Sequence, residues 1–190
     1  MDRNQQKRAS VENQLKSKRI MKNITEELSN EHQNILKLID AMLAECEKLE
    51  NGKKLEKAFF EKAIDFIKNY ADRYHHAKEE DILFRVLLEN LENMHCNPIP
   101  VMLHEHESGR NYVKGMEEGL NENNQEKIIG NAREYGFLLK EHIYKEDNVL
   151  YPMAEEALND QQKETVLKKY EEVETGEFSK ENVQKYLNVV

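Results

Sequence analysis

Four long stretches of this chain carry apolar side chains at every third or fourth position, and little interrupts them. Seven glycines and three prolines in 190 residues leave scant punctuation for sheets and hairpins. With 34% charged and 38% hydrophobic residues, the stretches read as amphipathic helices that each bury one face. The expected fold class is all-α, an up-down-up-down four-helix bundle with helical extensions at both ends. A chain of this length can bury a real core as one domain with appendages.

The first helix is expected over about 25–50, with Thr25 as its N-cap, Glu26 and Glu27 in its first turn and Asn51-Gly52 as its stop. Its apolar stripe is Leu28, His32, Ile35, Leu36, Ile39, Leu43 and Cys46. The second covers about 54–91 and buries Phe60, Ile64, Ile67, Ala71, His75, Glu79, Ile82, Leu83 and Val86. Asn97-Pro98-Ile99-Pro100 breaks the chain before a third helix over about 100–121, with Met102, Leu103, His106, Val113, Met116 and Leu120 inward. Gly109 in its middle costs roughly 1 kcal/mol relative to alanine and marks a candidate close helix approach. The fourth helix covers about 125–158, with Ile128, Ala132, Tyr135, Leu138, Leu139, His142, Glu146, Val149, Leu150 and Met153 inward; Pro152 is expected to end or kink it. Residues 23–158 therefore read as the bundle, 1–22 as a basic N-terminal extension, and 159–190 as a C-terminal helical extension with a last helix capped by Ser179.

Each of the four helices brings one histidine to its apolar face, and two bring a glutamate four residues later: His75 with Glu79, and His142 with Glu146. Residues four apart stack on one helix face, so each pair aims an imidazole and a carboxylate at one point. Continuing the face of Ile64, Ile67 and Ala71 selects His75 as inward, whereas His76 continues Asp65, Asn69 and Asp72 and is expected to point outward. Glu80 is expected at the surface or behind the ligands, and His104 exposed. At 1.5 Å per residue, His32 and His75 both lie roughly 30 Å from the turn between them, so they meet at one level. Four imidazoles and two carboxylates in a core cost several kcal/mol unless paired or coordinated. Two metal ions offset that cost, and this donor set, with no cysteine in it, suits iron, manganese or zinc. The candidate metal ligands are His32, His75, Glu79, His106, His142 and Glu146, with the two glutamates placed to bridge.

Other classes are excluded by composition. A net charge of -9 opposes general nucleic-acid binding, and no apolar run is long enough to span a membrane. Two cysteines form neither a disulfide framework nor a zinc cluster, and a reducing cytoplasm is the expected location.

Glu31-His32, His75-His76-Ala77-Lys78-Glu79-Glu80-Asp81-Ile82-Leu83-Phe84, Glu105-His106-Glu107-Ser108-Gly109-Arg110 and His142-x3-Glu146 together resemble the hemerythrin-like, or HHE cation-binding, family. The resemblance implies a four-helix bundle around two iron ions, bridged by two carboxylates and an oxo or hydroxo group, on the six residues above. Two positions depart from oxygen-carrying hemerythrins. Met102 stands where those proteins place a further histidine, and where they use an aspartate five residues after the last histidine this chain offers Glu146 at four and Asp147 at five. The expected four-histidine, two-glutamate set is similar to the broader bacterial HHE group and to iron-sulfur repair proteins. The expected partner is dioxygen, nitric oxide or peroxide, with a homodimer as an option. Three functions compete: binding or sensing of these molecules or of iron, enzymatic reduction or cluster repair at the same centre, and a metal-stabilised interaction module.

Overall fold

The computed structural model describes residues 23–175, 178 and 180–187; the basic extension at 1–22 and Ser179 lie outside the described residues. Helix α1 is Glu26–Glu50. Helix α2 begins as Lys57–Phe66, passes through π-type turns at Ile67–His76 and Glu79–Leu83, and ends as Phe84–Leu88. A short 3-10 turn, Leu91–Asn93, precedes α3, Ile99–Glu122. Helix α4 begins as Gln125–Lys145, passes a π-type turn at Glu146–Leu150 and finishes as Tyr151–Ala157. Helices α5, Asp160–Val173, and α6, Lys180–Leu187, close the chain, and no strand occurs among the described residues. The all-α bundle is thus as expected.

The ends of the helices follow from local chemistry, with three differences from expectation. Thr25 holds the N-cap position of α1 without a side-chain cap bond. Asn23 does that work instead, its Oδ1 accepting from the Thr25 and Glu26 amides at 2.8 and 3.0 Å. Gly52 (φ +90°) and Asn123 (φ +54°) take the left-handed conformation at the two hairpin turns, which glycine and asparagine tolerate best. Gly109 is not the close approach: a Cβ there would meet Leu139 Cδ2 at an ordinary 3.5 Å. That approach lies a few turns on, at Gly119, where a Cβ would stand 2.8 Å from Ile128 Cγ1 and 3.1 Å from its backbone nitrogen. Pro152 does not end α4. Its missing amide falls directly after the π-type turn, where the ladder is already changing from i→i+5 to i→i+4 bonds.

The core comes in two apolar clusters. One runs from the hairpin turns inward and holds Ile35, Ala71, Val113 and Leu139; the other holds Leu28, Ile82, Met102 and Leu150 toward the opposite end. Along every bundle helix the change from one cluster to the other occurs at a histidine: His32 in α1, His75 and His76 in α2, His106 in α3, His142 in α4. A polar layer therefore cuts the core at one level, and α3 matches that level too.

Candidate metal centre

Seven buried side chains make up this layer. His32, His75, Glu79 and Glu146 form one group and His76, His106 and His142 another, with donor atoms in each group within 4.8 Å of one another. All six residues singled out from the sequence are brought together. The expectation that His76 points outward is corrected: it is 7% exposed and stacks on the His106 ring at 3.7 Å. The reason lies in the backbone. Residues 67–76 follow a π-type turn, in which each residue advances less around the axis than in an α-helix, so neighbours His75 and His76 fit within one inward sector. Glu79 and Glu146 each open another π-type turn, so every wide turn in the bundle coincides with the site.

Each imidazole is held from behind by a carboxylate on its Nδ1. His32 faces Asp147 at 3.0 Å, His75 faces Glu31 at 2.9 Å, and His76 faces Asp72 at 3.2 Å. His106 faces Glu80 at 2.6 Å and His142 faces Glu105 at 2.9 Å. A carboxylate on Nδ1 places the proton there and leaves Nε2 as the donor atom, the usual support of a metal-bound histidine. Only Glu80, read as surface or backing, was anticipated in this set. The legible signal for others was present: Glu31 and Glu105 immediately precede His32 and His106, and each backs a histidine on the next helix.

The two glutamates lie between the groups. Glu79 Oε2 is 3.5 Å from His75 Nε2 and 3.6 Å from His106 Nε2. Glu146 Oε2 is 3.3 Å from His32 Nε2 and 3.1 Å from His142 Nε2. Glu79 Oε2 and both Glu146 oxygens are buried without a hydrogen-bond partner, an arrangement that costs several kcal/mol unless a cation is at hand. Burial, with the charge of Glu146 beside it, pushes the Glu79 carboxyl well above the carboxylate range. Burial pushes Glu146 the same way, but the positive charges of His142 and His32 outweigh it and hold Glu146 well below. Burial pushes His32 down, but its hydrogen bond to Asp147 and the nearby charges of Glu146 and Asp147 outweigh that and raise it to about 9. His75 is held well below the usual range and His76 at about 4, both chiefly by burial, so both rings are neutral and offer lone pairs. His106 Nε2 and His142 Nε2 stand 2.9 Å apart. Two nitrogens about 2.1 Å from one ion at a right angle lie about 3 Å apart. The donor set, its orphaned oxygens and this spacing fit two metal ions.

The family of the hemerythrin HHE cation binding domain matches residues 23–154. This chain belongs to that family. No curated protein and no solved structure matched it.

Within the hemerythrin-like bundle the site is built twice. Helices α1 and α2 supply Glu31-His32, His75-x3-Glu79 and Glu80; α3 and α4 supply Glu105-His106, His142-x3-Glu146 and Asp147. The backing pairs obey the same relation, since Glu31 holds His75 as Glu105 holds His142, and Asp147 holds His32 as Glu80 holds His106. Lys78 and Lys145 also correspond, the first bonding Glu31 and the second Glu105. Two places break the symmetry. His76, Asp72 and Arg110, linked by hydrogen bonds, correspond under this relation to Ile143, Leu139 and Leu36. Tyr151 stands where the other half has Phe84; both rings stack on a site histidine, but only Tyr151 has a hydroxyl, which donates to Glu79 Oε1 at 2.6 Å. Met102, in place of the carriers' extra histidine, is buried in apolar surroundings. The layer still holds five imidazoles, because His76 brings one from α2.

Proposed function

We propose that this chain is a non-haem di-iron protein that binds or senses a small diatomic molecule, dioxygen or nitric oxide. The observation that carries the reading is the placement of Glu79 and Glu146, each with an oxygen between histidines of the two groups and without another partner. One ion would be held by His76, His106 and His142, the other by His32 and His75, with both glutamates shared. Iron there supplies reversible electron exchange and an exchangeable position for a diatomic ligand. The chain's own part is to orient and to keep dry. Five carboxylates fix the imidazoles, the two apolar clusters exclude water from both ends, and Tyr151 Oη holds a proton between Glu79 Oε1 and His32 Nε2, 2.6 and 3.3 Å away. That proton favours a second reading, a reductase acting on nitric oxide, peroxide or dioxygen, since such chemistry consumes protons. No described helix is long and apolar enough to cross a membrane.

The test is an optical titration of anaerobically iron-loaded protein with dioxygen and, separately, with nitric oxide. A saturable new band with either, reversed on removing the gas, supports binding; consumption of the added gas supports the reductase. A spectrum indifferent to both sinks the two readings.

A further inference from the structure

On the His76 side of the centre, α2, α3 and α4 leave a cavity of about 140 Å³ walled by Ile67, Ala71, Gly109, Val113, Tyr135 and Leu139. His76 and His106 line it as well. The internal repeat explains the space: the position matching Gly109 in the other half is Ile35, a buried core side chain. Four of the charged residues at the mouth pair across α2 and α3. Arg110 donates to Asp72 at 2.9 and 2.7 Å and to Glu80 at 2.7 Å, and Lys68 pairs with Glu117 at 2.8 Å. Of the charged residues that line the cavity, Lys114, itself exposed, lies outside these pairs, and the inner wall is apolar apart from the two imidazoles. An apolar cavity of roughly 150 Å³ takes up benzene, and a diatomic molecule fills only a small part of such a space.

We propose that this cavity is a binding site for a small neutral organic molecule of about single-ring size, seated against the His76–His106 wall. The proposal deepens the reading of the metal centre, because it puts an organic molecule beside one half of that centre and not the other. Benzene is the probe. Its binding to metal-free and iron- or zinc-loaded full-length protein is followed by NMR titration, for the wild type, Gly109→Ala and Gly109→Ile. Saturable binding is expected in the wild type, weaker binding in Gly109→Ala, and binding weaker by at least about tenfold in Gly109→Ile, which copies the closed half. Gly109→Ala meets only ordinary contacts, so the series stays informative if the larger variant does not fold. No saturable binding in the wild type, or binding untouched by both substitutions, overturns the proposal. Metal content on the same samples reports separately: protein that binds benzene but fails to take up metal on loading removes the di-iron reading and leaves the cavity, whereas loaded protein that takes no benzene does the reverse.

Discussion

The two halves of this centre share a frame and differ in how they are closed. On the side of His32 and His75, Lys78 is fully buried and donates to Glu31, Glu27, Glu174 and the Tyr74 hydroxyl at 2.6 to 3.0 Å, so the residue that ends α5 helps to lock the carboxylate behind His75. On the side of His76, His106 and His142, the matching Lys145 is 37% exposed and, among the described residues, pairs with Glu105. The first half is sealed by aromatic rings and a closing helix. The second carries the extra histidine and borders the cavity. One half is closed around its carboxylate, and the half with more imidazoles is the one that borders the cavity.

The comparison can be broken most severely at what the halves share. Glu146→Gln or Glu79→Gln should take bound iron from about two ions per chain to well under one, since each removes a carboxylate common to both groups; elemental analysis after reconstitution decides. Next comes what they do not share. His76→Ala should lose only the ion of its own half, leaving about one per chain, whereas retention of both would make His76 a cavity wall and not a ligand. The lysines sharpen the contrast in stability. Lys78→Met leaves Glu31 buried against His75 without its cation and should cost about 3 kcal/mol in denaturant melts. Lys145→Met, at a half-exposed pair, should cost less than about 1 kcal/mol. Equal losses would end the claim that one half is sealed. Tyr151→Phe copies Phe84 into the first half and removes the donor to Glu79; metal affinity should fall about tenfold with little loss of helix. His104→Ala, on the exposed face of α3, should change neither metal content nor stability.

The bundle and six of the seven site residues were legible because apolar periodicity reports which face is buried, and histidine at a core position is conspicuous on such a face. His76 was not legible for the same reason. The periodic argument assumes an α-helical step, and it assigned His76 to the face of Asp72, which is indeed its partner, at a point where the backbone turns more widely. The double histidine is thus a double contribution to the layer. Asp72 reads as solvated charge by its face, yet a side chain that faces partly outward can still back a histidine from the side. Tyr151 lies five residues past Glu146, but nothing in spacing distinguishes a stacked phenylalanine from a tyrosine that also reaches a carboxylate. The internal repeat was visible as two His-x3-Glu pairs; the matching Glu-His pairs on α1 and α3 acquire meaning only when the cross-helix hydrogen bonds are known.

The central claim is that these seven side chains hold two metal ions. Protein purified without oxygen, reconstituted with ferrous iron and freed of excess should be assayed for metal per chain and for loss of metal in the Glu79→Gln and Glu146→Gln variants. About two irons per chain, lost in both variants while helix content is kept, is the expected result. Fewer than one per chain, or iron retained by both variants, would contradict it.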